Sequence, residues 1–316
     1  MQNKQIALVF PGQGSQASGM GYDLYKNFTG AKEVFQEVDD ALGFSLSKII
    51  FEGTEEELRR TENTQPALMA TSIATLRSLE GLSNMKASYF ARVVAGHSLG
   101  EYSALVASGS LSLRDASIIL RKRGEFMANA MPTGGAMLAV IGLDEAKLLD
   151  LIEASKGNLV LVVANDNANG QIVLSGNEEA ILKAQSLSKE FGAKMAVKLE
   201  VSGPFHSPLL SKASEQMKEE LSKYKIHLPL IPLINNVNAD YYKEQGEMAD
   251  ILARQVVSRV RWRETMLKMK EDGITHAIEV GSGKVLCGLF KRTVKEIEAI
   301  NVGNSLEIQQ ILNLIS

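Results

Sequence analysis

Ser98 lies in Gly96-His97-Ser98-Leu99-Gly100, between an apolar run at 93–95 and a helical stretch that begins at 101. Glycines on both sides of a serine, between a strand and a helix, relieve crowding in a sharp turn and push the hydroxyl out at the strand end. Such a serine attacks carbonyl carbon, and the backbone N–H of Leu99, at the start of the following helix, is then placed to receive an oxyanion. A serine needs a base, and the chain has four histidines, at 97, 206, 227 and 276. His206 stands in Ser202-Gly-Pro-Phe-His-Ser-Pro208, a loop pinned by two prolines ahead of a helical stretch, which suits a side chain that must be held still. His97 adjoins Ser98, but neighbouring side chains on a turn diverge, so it suits a supporting role better than that of base. His227 and His276 lie beside apolar runs and read as structural.

A second glycine-rich stretch, Phe10-Pro-Gly-Gln-Gly-Ser-Gln16, follows the apolar run 6–10. Besides a plain tight turn, it admits two functional readings. One is a loop at the carboxyl end of a strand, whose backbone N–H faces the serine across a crevice. The other is a dinucleotide fingerprint, Gly12-x-Gly14-x-x-Ala17, with Glu33 or Glu37 at the spacing of a ribose contact. Arg123 falls on a helical stretch beyond the one that follows Ser98. Taken by itself, the run Arg121-Lys-Arg123 reads as a solvated basic face. Gly281-Ser-Gly-Lys284 lacks the upstream glycine and the following Ser or Thr of a phosphate loop. No histidine pair or His-Glu cluster has ligand spacing, so no metal is expected.

Short apolar runs alternating with longer amphipathic stretches must position these groups, as in an α/β protein. Strands are expected at 6–10, 93–95, 230–234 and 277–280, and helices at 65–79, 101–108, 113–131, 208–224 and 248–257. The middle of the chain reads strand 135–142, helix 144–155, strands 159–165 and 171–175, helix 178–191 and strand 194–201. That β-α-β-β-α-β order is that of a ferredoxin-like unit, expected as an insertion at 132–200 in a larger α/β domain made of 1–131 and 201–316. The chain has 316 residues, 45% of them hydrophobic, and a formal charge of -3, which argues against nucleic acid as a partner. A single cysteine, Cys287, excludes an intrachain disulfide. The run 6–10 is too short for a signal-peptide core or a membrane span, so a cytoplasmic protein is expected.

Taken in order, several segments resemble the malonyl-CoA:acyl carrier protein transacylase family. They are Phe10–Gln16, Thr64-Gln-Pro-Ala67, Gly96-His-Ser-Leu-Gly-Glu-Tyr102, Arg123-Gly-Glu-Phe-Met127 and Gly170-Gln-Ile-Val-Leu-Ser-Gly176, followed by Gly203-Pro-Phe-His-Ser207, Asn235-Asn-Val237, Arg254-Gln255 with Val260-Arg-Trp262, and Glu279-Val-Gly-Ser-Gly-Lys-Val285. The resemblance spans essentially the whole chain and has no use for a dinucleotide. It implies an α/β-hydrolase-like domain with a ferredoxin-like insertion. It further implies transfer of malonyl from malonyl-CoA to the phosphopantetheine thiol of an acidic acyl carrier protein, in fatty-acid biosynthesis, with no cofactor. By that resemblance Ser98 is the nucleophile and His206 its base, oriented by a backbone carbonyl at Gln255. Gln13 and Leu99 supply the oxyanion N–H groups, Arg123 holds the malonyl carboxylate, and His97, Gln65 and Asn165 line the pocket. Ser282 departs from the proline common in the Glu-Val-Gly-x-Gly segment, and the lead into His206 also differs from the usual one. A monomer is expected, with basic residues at Arg259, Arg261 and Arg263, or at Lys284, Lys291 and Arg292, as candidates to meet the carrier. A serine hydrolase or thioesterase built on the same elbow is the alternative, and a carboxylate partner to His206 would be its mark.

Overall fold

The computed structural model describes residues 4–315. Its larger sheet has five strands, β1 (Ile6–Phe10), β2 (Ala91–Gly96), β7 (Leu233–Ile234), β8 (His276–Val280) and β9 (Glu298–Val302), in the order β7-β2-β1-β8-β9. All four pairings are parallel. Parallel strands are covered on both faces, which is why β1 is an unbroken apolar run with every residue buried. Its pleat divides that run between two cores: Ile6, Leu8 and Phe10 pack into one, Ala7 and Val9 into the other. Strand order reverses around β1, with β2 on one side and β8 on the other. The crevice at the carboxyl ends there is where an open α/β sheet places its ligand.

The smaller sheet has β3 (Gly135–Ile141), β4 (Leu161–Ala168), β5 (Gln171–Asn177) and β6 (Met195–Lys198), in the order β4-β5-β3-β6 and wholly antiparallel. Helices Glu145–Lys156 and Glu178–Leu187 cover it around a core of its own that includes Leu138, Leu151, Leu174 and Ile181. This is the ferredoxin-like arrangement expected from the element order.

Several elements depart from expectation. The strand expected at 230–234 shrinks to Leu233–Ile234, because Pro229 and Pro232 cannot donate to a ladder and Leu230 is exposed. The helix expected at 208–224 starts as a 3-10 turn, Pro208–Leu210, and continues as Ser211–Leu221. The last strand of the insertion covers only Met195–Lys198 of the 194–201 expected. Strand β9 and the helix Val285–Thr293 were not anticipated. The first is a half-exposed edge strand with little apolar run to announce it. Pro66 lies inside the long helix Thr61–Ser83, and the carbonyl of Glu62, four residues earlier, accepts from Arg121 Nη1 at 3.1 Å instead. Among the described residues, no helix is long and apolar enough to cross a membrane.

Candidate active site

Ser98 has φ +52°, the left-handed region that a non-glycine residue rarely adopts. The turn is that tight because its flanks approach backbone. A Cβ on Gly96 would lie 1.9 Å from the Gly100 carbonyl, and one on Gly100 would lie 2.3 Å from the Phe10 carbonyl oxygen. No other residue fits either place without moving β1 or the helix Gly100–Ala107. Asn236 straps the turn from below: its Oδ1 accepts from Ser98 N–H at 2.7 Å and its Nδ2 donates to the Gly96 carbonyl at 2.7 Å. Ser98 N–H is therefore occupied. The N–H groups of Leu99 and Gln13 have no hydrogen-bond acceptor among the described residues, and both residues line the same cavity of about 490 Å³.

His206 Nε2 is 2.8 Å from Ser98 Oγ. Its Nδ1 faces two backbone carbonyls, Gln255 at 2.9 Å and Ser258 at 3.1 Å. Carbonyls only accept, so Nδ1 carries the proton and Nε2 is left to take one from the serine. His206 also has a positive φ, +57°, held by the Pro204–Pro208 loop and by its own N–H donating to the Val256 carbonyl. Burial first, and the Arg123 guanidinium second, push its imidazole down to about 3. The carboxylate that would mark a hydrolase triad is replaced here by the two carbonyls.

Arg123 is buried, on the helix Leu113–Ala130, which crosses Thr61–Ser83 in backbone contact. A Cβ on Gly124 would lie 2.4 Å from Glu62 Cα, so the glycine is what lets the two helices close. That approach sets Arg123 beside Gln65, with Nη1 donating to Gln65 Oε1 at 2.6 Å. Nη2 donates to Gln255 Oε1 at 2.8 Å and to Ser98 Oγ at 3.1 Å. All three acceptors are neutral. The basic face suggested by Arg121-Lys-Arg123 divides accordingly: Arg121 and Lys122 pair with Glu125, and Arg123 turns inward.

His97 turns away from the serine. Its Nε2 meets Asn167 Oδ1 at 2.7 Å, its ring lies against Trp262, and desolvation holds its imidazole below the usual range. Asn165 lines the cavity wall where β4 bridges to Val260. Met127, Met137, Val173, Phe205 and Leu289 make much of the rest of the wall apolar. The glycine loop after β1 does not form a dinucleotide cradle: the first helix starts at Tyr22, well past Gly14, and Gly12 packs on the His97 carbonyl. The Glu-Val-Gly segment is likewise structural. Glu279 is buried and accepts from the N–H groups of Leu286 and Cys287, anchoring the start of Val285–Thr293. Sequence reasoning passed over Asn236, Ser258 and Glu101, although Asn236 and Glu101 stand inside motifs it had noted.

Residues 7–309 match the acyl transferase domain family. The chain is 46% identical to the malonyl CoA-acyl carrier protein transacylase of Bacillus subtilis, over 96% of this chain and 95% of that one. This chain belongs to the malonyl CoA-acyl carrier protein transacylase family. The solved acyl-carrier-protein S-malonyltransferase of Bartonella henselae superposes with a TM-score of 0.95 at 45% identity, covering 98% of this chain and 99% of that one. A malonyl-transacylase solved in complex with its holo type II PKS acyl-carrier protein superposes with a TM-score of 0.94 at 36% identity, covering 98% of this chain and 100% of that one. The serine elbow, the histidine held by carbonyls and the inward arginine thus sit in the fold of an acyl transferase.

Proposed function

We propose that this enzyme moves malonyl from malonyl-CoA to the phosphopantetheine thiol of an acyl carrier protein through a malonyl ester on Ser98. The observation that carries the substrate is Arg123, a buried guanidinium 3.1 Å from the nucleophile whose partners are all neutral. A planar, permanently charged fork at that place suits a carboxylate one carbon from the attacked carbonyl. Ser98 Oγ attacks the thioester carbon while His206 Nε2 takes its proton, and the N–H groups of Gln13 and Leu99 receive the oxyanion. Coenzyme A leaves as a thiol with the proton from His206. The carrier thiol then gives its proton to His206 and attacks the ester carbon, and Ser98 Oγ leaves with that proton returned from His206 Nε2.

Arg123→Ala tests the substrate assignment. Removing one partner of a buried charge pair costs about 2–5 kcal/mol, so kcat/KM for malonyl-CoA should fall by roughly 30- to 5,000-fold. Acetyl-CoA, with no carboxylate to hold, should react at least as well, because the cation that depresses His206 is gone. An equal fall for both substrates would make Arg123 a support of the fold.

For the carrier, the two basic candidates differ. Arg259 and Arg261 pair with Glu264, and Arg263 pairs with Asp166. Lys284, Lys291 and Arg292 are exposed, at the ends of the helix whose Val285, Leu286 and Leu289 line the cavity. Arg292 reaches the rim, donating to Gln171 at 2.7 Å. Reversing all three charges should raise the carrier's KM by about tenfold at low salt, leave that for malonyl-CoA near its starting value, and matter less as salt rises. Equal effects on both substrates would place docking elsewhere.

A further inference from the structure

Behind the elbow lies a carboxylate that the reaction just described does not use. Glu101 is fully buried in the first turn of Gly100–Ala107 and accepts three hydrogen bonds. Oε1 receives the Tyr242 hydroxyl at 2.5 Å, while Oε2 receives Gln255 Nε2 at 2.6 Å and the Asn236 N–H at 3.0 Å. The two nitrogen donors cannot accept, so Oε2 acts as an acceptor. The same Gln255 amide turns its oxygen to Arg123 Nη2 and its nitrogen also to the Ser98 carbonyl, at 3.1 Å. One amide therefore stands between the buried guanidinium and the buried carboxyl group, its oxygen on one and its nitrogen on the other.

We propose that Glu101 is the counter-charge of Arg123 before an acyl group binds, coupled to it through the side chain of Gln255. This rests on the reading of Arg123 as the receptor for the malonyl carboxylate. A buried cation with only neutral contacts is costly, and a carboxylate in direct contact would relieve the cost but occupy the guanidinium edge that the substrate needs. Setting the carboxylate one amide away keeps Arg123 charged and leaves its edge toward Ser98 with neutral partners that a substrate carboxylate can displace. Burial raises the Glu101 carboxyl and lowers the guanidinium; the hydrogen bonds from Tyr242, Gln255 and Asn236, and after them Arg123, pull the carboxyl back down, while Tyr102 and then Glu101 pull the guanidinium back up. The consequence has an unusual sign. The substrate's carboxylate competes with the field of Glu101, so removing that charge makes the pocket bind dicarboxylates more tightly.

Glu101→Gln is the variant that isolates the charge. The amide oxygen can keep both nitrogen donors, and the Tyr242 hydroxyl can rotate to accept from the new NH₂. The measurement is inhibition of malonyl transfer by free malonate, with acetate as the control anion that lacks the second carboxylate. The inhibition constant for malonate should fall about tenfold, the effect of a charge just beyond contact in a protein interior, and the KM for malonyl-CoA should fall with it. Acetate inhibition should move far less. Unchanged or weaker malonate inhibition would overturn the proposal, since damage to a merely structural residue loosens the pocket. If Glu101→Gln does not fold, the double variant Glu101→Met with Tyr242→Phe removes the charge together with the hydroxyl it would orphan, and must show the same tightening. Failure of both to fold would assign Glu101 to the scaffold and overturn it too. A wild-type enzyme that neither transfers malonyl nor responds to malonate would instead sink the reading of Arg123.

Discussion

Ser98→Ala leaves a folded protein that takes up no malonyl. Incubated with malonyl-CoA, the wild type should gain the mass of one malonyl group on the peptide containing Ser98, and the alanine variant should gain none. Turnover should fall by about 10⁴-fold or more, the scale of losing a covalent nucleophile whose partners act as a unit. The fold should tolerate the change. Alanine keeps the backbone at φ +52°, and the Asn236 strap holds the backbone on either side of the turn rather than the hydroxyl. The stability change should stay within about 1 kcal/mol in thermal unfolding, as for other small changes that leave no large cavity. An adduct of undiminished yield on the alanine variant would remove Ser98 from the mechanism.

His206→Ala should slow acylation by about 10²- to 10⁴-fold in single turnover, the range for a general base. No neighbour can stand in for it, because His97 faces Asn167 and not the serine. A loss below tenfold would move the base to His97. The pH profile gives an independent reading with a definite sign. The imidazole works as a base only when unprotonated, and burial with Arg123 pushes it down to about 3. The acylation rate should therefore hold as pH falls through 6.5, where an ordinary histidine would switch it off. Stability runs the other way. The unfolded chain binds this proton near pH 6.5 and the native state only near the depressed value, so His206 lowers native stability progressively as pH falls between them. His206→Ala should remove that part of the acid sensitivity. If Arg123 holds the malonyl carboxylate as proposed, that charge would cancel the second cause of the depression and strengthen the base.

The serine elbow was legible because its turn depends on a local string. The elbow needs Gly96 and Gly100 for steric reasons that act within five residues, and the close approaches to the Gly100 and Phe10 carbonyls show why. The buried strand β1 was legible for a similar reason, since a strand covered on both faces has no polar position to hide it. The ferredoxin-like insertion followed from element order, which survived errors in the ends of individual elements. The edge strand β9 was not legible. Half its surface faces solvent, and its partner, β8, supplies the hydrogen bonds that make it a strand.

What only the tertiary structure decided is how residues far apart in the chain divide the labour. The string Arg121-Lys-Arg123 cannot say which arginine turns inward; the close approach of Gly124 to Glu62 brings a second helix alongside, which takes Arg121 at its first turn, on Glu62 and Asn63, and Arg123 deeper, on Gln65. The sequence offered Glu101, Asn236 and Gln255 as polar residues in separate motifs, 154 positions apart at the extremes. Folding brings them behind Ser98, where burial removes competing water and makes each hydrogen bond selective. The Gln255 carbonyl then accepts from His206 Nδ1 while its side chain accepts from Arg123 Nη2. A string of residue types specifies which groups can react, whereas charge placement and proton position depend on distance and burial, and those exist only once the chain has folded.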